Sequence, residues 1–119
     1  MVKKEYLILE KSFTFSLSII ELFKHLKSNN EFIISKQLLR SGTSIGANIN
    51  ESTAAQSKAD FIHKMSIASK EARETKYWLM LLNKSQLVVI NLNKYLKEID
   101  EIINILTAIV KTSQQNNKN

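Results

Sequence analysis

One apolar pattern constrains the fold of this chain more than any other feature, because it recurs at alternating intervals of four and three residues. Its members are Phe61, Met65, Ala68, Ala72, Thr75, Leu79 and Leu82. Positions at these intervals share one face of an α-helix, whereas a half-buried strand alternates every second residue. The pattern predicts a long helix over residues 57–84 that packs against other helices along a single seam.

The composition extends this prediction to the rest of the chain. There is no proline, and only two glycines occur among 119 residues, whereas a β-rich domain of this size needs many tight turns. We therefore expect an all-α fold, an antiparallel up-down-up-down four-helix bundle, since short connections force sequential helices to reverse direction. It should form a single domain over residues 1–119, with 113–119 as a disordered polar tail.

The helix ends follow from polar breaks and capping residues. The other helices are predicted over residues 5–27, over 31–54 or 31–55, and from the Asn91 cap to about residue 112. Asn29 or Asn30 is the expected cap of the second helix, and Ser57 that of the third. In the first helix the predicted apolar stripe is a loose heptad that further residues widen. The heptad is Leu7, Phe13 or Thr14, Leu17, Ile20 and Lys24, and it is widened by Phe15, Ile19, Leu22, Phe23 and Leu26.

Small residues are concentrated in the predicted second helix, within residues 37–52. The apolar stripe continues there, but Gly42 and Gly46 leave it almost without bulk on one side. Each glycine costs a helix about 1 kcal/mol, so close approach by another helix is the expected gain. We expect self-association into a closed form, a ring or a dimer, with an interface at Gly42, Gly46, Ile67, Trp78 and Met80. The alternative places Trp78 and Met80 at the edge of the core within one chain.

A basic stripe opposite the apolar seam of the third helix is the best candidate for binding nucleic acid. It consists of His63, Lys70, Arg73, Tyr77 and Lys84. Cations about two turns apart can follow phosphates, and an exposed tyrosine can stack on a base. The net charge of +6 also favours anionic partners. The alternative is an ordinary solvated helix face.

A polar set in the second helix has a different meaning. Arg40, Ser44, Asn48 and Glu51 share one face, and Ser44 and Asn48 are placed to bridge the two charges. A hydrogen-bonded network between helices is the main interpretation, since such a network fixes register when it is satisfied. A binding surface is the alternative.

Nothing in the chain indicates catalysis, a metal site or a cofactor. Asp60 and His63 are three apart, but a di-metal bundle needs several Glu-x-x-His ligands that project inward. There is no cysteine, no glycine-rich phosphate loop and no Ser-His-acid set suggested by spacing. No apolar run approaches the ~20 residues of a membrane span, and we see no signal peptide. We expect a non-enzymatic cytoplasmic protein with no membrane partner.

Two segments resemble a known family. Residues 37–51 resemble its Q-L-x-R and S-I-x-x-N-I-x-E signature, and Asp60, Phe61 and residues 66–74 resemble the D/E-F segment that follows. The family consists of small four-helix-bundle proteins encoded in intervening sequences of bacterial 23S ribosomal RNA genes. It is related to accessory proteins of diversity-generating retroelements. Ser52 stands where the family has glycine, and Ala72 where it often has a small hydroxyl residue.

The resemblance implies a homopentameric ring and, more loosely, nucleic-acid binding. Its signature residues here are Arg40, Ser44, Asn48, Glu51 and Glu74. Retroelement relatives pair with a reverse transcriptase and RNA. We therefore expect a nucleic-acid-binding protein with RNA favoured, and the alternative is a protein-interaction scaffold or an accessory subunit of such an enzyme.

Overall fold

The computed structural model describes residues 1–118, which form four α-helices and no strand. The helices are α1 (Lys3–Ser28), α2 (Ile34–Ser52), α3 (Lys58–Ser85) and α4 (Asn93–Lys118). The predicted all-α class and the number of helices are confirmed. None of the helices in this part of the chain is long and apolar enough to cross a membrane.

Consecutive helices pack side by side because their connections are short. The bundle measures 51 × 22 × 21 Å, while the connections at 29–33, 53–57 and 86–92 span at most about 25 Å even when extended. Each connection must therefore return the chain along the preceding helix. α2 packs against α1 and α3, α3 against α4, and α1 makes the sparsest contact, with α4.

The core face of α3 is the one that the apolar period predicts. Its buried residues are Met65, Ala68, Ala72, Thr75, Leu79 and Leu82. Phe61 is half-buried and packs against the edge of the same core. The Thr75 hydroxyl lies 2.9 Å from Ser41 Oγ on α2 and 2.8 Å from the carbonyl of Glu71, so the one polar side chain in the seam is satisfied.

The inward face of α1 follows the residues that widen the predicted heptad and differs from the heptad itself. The buried residues are Ile8, Ser12, Phe15, Ile19, Leu22 and Leu26. By contrast Leu7, Phe13 and Leu17, assigned to the stripe from sequence, are 50%, 67% and 52% exposed. Both faces of α1 are apolar, so periodicity identifies the helix but does not say which face packs inward.

The turn between α1 and α2 corrects the predicted cap. Asn30 has a positive φ of 64° and ends the reversal after α1, so it does not cap α2. Glu31 takes that role, since its buried carboxylate accepts hydrogen bonds from the backbone N–H groups of Ile33, Ile34 and Ser35. α2 consequently begins three residues later than predicted.

The remaining helix ends agree with the prediction in part. Ser57 caps α3 as expected, accepting a bond from the Asp60 N–H at 3.0 Å, and the Asn91 side chain accepts from the Asn93 N–H at 3.0 Å. α2 ends at Ser52, before the predicted end. α4 continues to residue 118, through the segment predicted as a disordered tail, because buried Ser113 extends its core face. Asn119 lies outside the described residues.

Candidate nucleic-acid interface

The basic stripe predicted on α3 lies entirely at the surface. All five of its side chains are exposed: His63, Lys70, Arg73, Tyr77 and Lys84. At 1.5 Å per residue the stripe runs about 32 Å along the helix. The structure therefore places these residues in a line along α3. The middle part of this line, Lys70 and Arg73, borders α4.

That middle part forms one wall of a groove between α3 and α4. The groove has a volume of about 330 Å³, and its lining residues are Ser66, Ser69, Lys70, Arg73, Thr107, Val110, Lys111 and Gln114. The Arg73 guanidinium donates to Thr107 Oγ1 at 3.2 Å, which fixes this cation against α4. Three cations and several hydroxyl or amide groups thus surround one channel, a composition suited to phosphate oxygens.

Lys111 and Gln114 escaped the sequence prediction. Lys111 comes four residues after Thr107, so it lies one turn further along the same face of α4. The spacing could have identified this face, but its position opposite Lys70 and Arg73 depends on how α3 and α4 pack. A pattern within one helix carries no such information.

The charge of the groove is not cancelled by acids nearby. Among the described side chains, no carboxylate lines it, and Lys70, Arg73 and Lys111 form no ion pair. Glu74 follows Arg73 in the sequence, but its carboxylate faces α2, where it pairs with Arg40.

Arg40 is the centre of the polar contact between α2 and α3. Its guanidinium pairs with Glu71 at 3.1 Å and with Glu74. The indole N–H of Trp78 donates to the same Glu74 carboxylate at 3.0 Å. The hydrogen bonds from Arg40 and then Trp78 lower the pKa of Glu74, and the bond to Glu74 raises the pKa of Arg40.

The predicted chain of contacts from Arg40 to Glu51 does not form. The Ser44 hydroxyl donates to the carbonyl of Arg40, and the Asn48 amide donates to the carbonyl of Ser44, so both bond only within α2. Glu51 lies 3.7 Å from Lys64 on α3 instead. Four-residue spacing lets these short side chains reach the backbone of the preceding turn, which competes with bridging along the surface.

Tyr77, one turn beyond Arg73 on α3, has a defined orientation. Its ring meets the Trp78 ring edge to face, with centroids 5.2 Å apart and planes at 71°. The tyrosine remains 58% exposed. An exposed aromatic face next to a line of cations is the arrangement that stacks on an unpaired base.

The residues predicted for an oligomer interface are spread over different surroundings. Gly42 is buried against Ile19 of α1 in the same chain, which corrects its assignment to a contact between copies. Trp78 packs partly against the core and Ile67 is half-buried, while Met80 is 46% exposed. Only Gly46 borders an open apolar surface.

That surface is a groove between α1 and α2 with a volume of about 760 Å³. Its lining residues are Tyr6, Leu9, Glu10, Phe13, Ser16, Leu17, Ile20, Thr43, Gly46, Ala47 and Asn50. Gly46 and Ala47 add little side-chain bulk on the α2 side, and Tyr6, Phe13 and Leu17 border it with exposed apolar surface. Contiguous exposed apolar surface is uncommon on monomeric soluble proteins.

The described residues hold no group of three or more His, Cys, Asp or Glu side chains that could bind a metal ion. Fold and groove define a small all-helical bundle protein with a groove between α3 and α4 that three cations line. The chain belongs to the family of 23S rRNA-intervening sequence proteins, whose model matches residues 4–108, in agreement with the resemblance noted from sequence.

A solved structure supports the same assignment. It is a protein of unknown function from the S23 ribosomal protein family of Bacteroides thetaiotaomicron, and it is 45% identical to this chain. The match covers 91% of this chain and 98% of that one, with a TM-score of 0.85. No functionally curated protein matches the chain.

Proposed function

We propose that this protein is a non-catalytic, homo-oligomeric nucleic-acid-binding protein of the bacterial cytoplasm, with RNA as the favoured ligand. The observation that carries the proposal is the α3–α4 groove, where Lys70, Arg73 and Lys111 surround one channel that no described carboxylate lines. Tyr77 adds a stacking surface beside it. RNA is favoured over DNA because the retroelement relatives described above pair with a reverse transcriptase and RNA.

The proposal predicts a specific dependence on salt. For a single strand, log affinity falls with log salt concentration by about 0.7 per phosphate contact, so three cations give a slope of about −2 per protomer. Binding of structured RNA, single-stranded RNA and duplex DNA would be compared across a salt series. A preference for RNA that persists at about 150 mM salt supports recognition, and equal affinity for all three at every salt concentration contradicts it.

Charge reversal locates the binding surface. The double variant Lys70→Glu/Arg73→Glu should weaken RNA binding while circular dichroism shows unchanged helicity. The variant Lys3→Glu/Lys4→Glu makes the same change in net charge at exposed positions in the first turn of α1, and it should bind RNA far better than the groove variant. Equal losses in the two variants would exclude the groove as the specific contact.

We assign self-association to the α1–α2 groove, with a closed ring, a pentamer, as the proposed form. A ring repeats a weak basic groove several times, and multivalency raises the affinity for a long RNA without a stronger single site. Phe13→Asp places a charge in the apolar groove at a position 67% exposed in the protomer, so folding should be preserved. Light scattering at micromolar concentration should give a multiple of the 13.6 kDa chain mass for wild type and a smaller mass for the variant. A single-chain mass for wild type would refute the ring.

A protein-interaction scaffold, such as an accessory subunit of a reverse transcriptase, is the second candidate. The open α1–α2 groove favours it, because an amphipathic helix from another protein fits a groove of this type. A stoichiometric partner from nuclease-treated lysate that Phe13→Asp releases, combined with no RNA binding at about 150 mM salt, would favour this function over the first.

A further inference from the structure

Two loops meet at one end of the bundle and share an unusual construction. The α1–α2 loop (29–33) and the α3–α4 loop (86–92) lie at the same end because the helices alternate in direction. Each contains a residue of positive φ just after its helix, Asn30 at 64° and Gln86 at 55°. These residues turn the chain sharply, so the following side chains project beyond the helix ends. We call this region the loop end.

Large apolar side chains project from both loops at this end. Phe32 and Ile33 are 48% and 78% exposed, and Leu87 and Val89 are 59% and 85% exposed. In the second loop the side chains alternate, since Val88 and Leu92 are buried while Leu87 and Val89 face outward. Outward positions in a solvated loop are ordinarily polar. Four apolar residues on protruding loops therefore indicate a partner.

The same end carries nearly all the net charge of the protein. The loops and the five adjoining residues of each helix comprise residues 24–38 and 81–97, which contain a single carboxylate, Glu31. They contain six lysines, all exposed: Lys24, Lys27, Lys36, Lys84, Lys94 and Lys97. Five of the six net positive charges of the chain thus lie here. Glu31 is buried and engaged by three backbone N–H groups, and of these lysines only Lys24 pairs with a described acid, Glu21.

We propose that the loop end docks on the surface of an anionic lipid membrane. A bilayer accepts both features at once, because aliphatic tips enter the boundary of the acyl chains while lysines meet anionic headgroups. RNA would use the lysines, and a base could stack on Phe32. RNA gains neither stacking nor hydrogen bonds from the three aliphatic side chains, Ile33, Leu87 and Val89. A second copy joined end to end would place two strongly positive surfaces together.

This mode of binding needs no spanning helix. The expectation of no membrane partner rested on the missing apolar run, which excludes a transmembrane segment and leaves peripheral docking open. Like the loop tips of other peripheral proteins, the docking surface here joins a few inserted side chains to a surrounding group of cations. The proposal stands apart from the α3–α4 groove, and it does not depend on RNA binding.

Vesicle binding tests the proposal with the full chain. Sedimentation with phosphatidylcholine vesicles should leave the protein in solution, and vesicles that also contain phosphatidylglycerol should bind it. Ile33→Ser/Val89→Ser should lower the partition coefficient about tenfold or more, because two largely exposed aliphatic groups no longer insert. Lys36→Glu/Lys94→Glu should lower it more than about twentyfold, and the control Lys3→Glu/Lys4→Glu should bind far better.

A fluorescent probe tests the insertion directly. The chain has no cysteine, so Val89→Cys provides one site for a polarity-sensitive dye, and Val2→Cys provides a control at the opposite end. The dye at position 89 should shift to the blue with anionic vesicles, and the dye at position 2 should not. Lys70→Glu/Arg73→Glu should keep vesicle binding, which separates this surface from the RNA groove.

Four results would overturn the proposal. The first is that the protein does not bind anionic vesicles, and the second is that Ile33→Ser/Val89→Ser binds them as well as wild type does. The third is that a dye at position 89 responds to RNA but not to vesicles. The fourth is that Ile33→Ser/Val89→Ser has a lower oligomer mass than wild type. The last two would assign the loop end to nucleic acid or to a second copy. If the double variant failed to fold, Val89→Ser alone, at a position 85% exposed, would provide the same comparison.

Discussion

The two glycines of α2 should respond with opposite signs to the same substitution. A Cβ at Gly42 would lie 2.9 Å from both Cγ1 and Cγ2 of Ile19, which is closer than real Cβ contacts. Ile19 is β-branched and fully buried, so it has one favoured rotamer in a helix and no space into which to turn. At Gly46 the nearest atom is the Ser16 hydroxyl oxygen at 3.3 Å, which can move with its side chain.

The magnitudes follow from two competing terms. Overpacking a close contact costs about 1–3 kcal/mol, and the two clashing atoms of Ile19 place Gly42 in the upper half of this range. Alanine improves a helix by about 1 kcal/mol over glycine, which offsets part of this cost. Gly42→Ala should therefore destabilise the protein by about 1–2 kcal/mol. Gly46→Ala should raise the free energy of unfolding by up to about 1 kcal/mol, because the Ser16 contact limits the gain.

Urea unfolding followed by circular dichroism measures the difference. The free energies of unfolding of the two variants should differ by about 2 kcal/mol, and their thermal midpoints should differ by roughly 8 °C. Each protein should be measured at several concentrations, since assembly adds to apparent stability.

Repeating the Gly42→Ala substitution in an Ile19→Ala variant tests whether the clash with Ile19 causes the loss of stability. Ile19→Ala removes both clashing atoms, so Gly42→Ala should become neutral or stabilising in that background. The reasoning is refuted if Gly42→Ala is as stable as wild type, or if its cost is the same with and without the Ile19 side chain.

Three further predictions concern polar contacts. Thr75→Val should cost about 1–2 kcal/mol in urea melts because the buried Ser41 hydroxyl loses its partner, and adding Ser41→Ala should recover most of the loss. Ser57→Ala removes the N-cap of α3 and should cost about 1 kcal/mol, whereas Ser57→Asp should keep the wild-type midpoint. Because the folded-state pKa of Glu74 lies below its usual 4.5, its stabilisation is present above that pH and is lost as the pH falls below it. Glu74→Gln should therefore be less stable than wild type by under about 1 kcal/mol at neutral pH, and melts below pH 4.5 should bring the two together.

Sequence predicted the fold best where one face of a helix differs clearly from the other. Helix α3 has an apolar seam on one face and a basic stripe on the opposite face. The spacing of its apolar residues therefore predicts its core face directly. α1 carries large apolar residues on both faces, and only packing shows that Phe15 faces the core and Phe13 the solvent. Two phenylalanines only two positions apart in the sequence thus have opposite surroundings.

The candidate site was predictable only within single helices. Lys70 and Arg73 share a turn of α3 and were identified together, whereas Lys111 joins them through the pairing of α3 with α4. Arg40 was expected to connect with Glu51 along α2 through Ser44 and Asn48, whereas it pairs with Glu71 on another helix. The cap at Glu31 was missed because the asparagines before it are stronger capping residues by propensity.

The weak contact between α1 and α4 has a consequence for how the molecule forms and opens. A groove of about 300 Å³ separates these helices, and the ion pair of Lys11 with Glu101 bridges them at 2.6 Å. The other helix pairs in contact, α1 with α2, α2 with α3 and α3 with α4, are neighbours in sequence. The chain can therefore fold by successive local pairing, and it should fold fast for its length. The seam between its first and last helices should close last, and native-state hydrogen exchange should reveal it as the first part of the bundle to open.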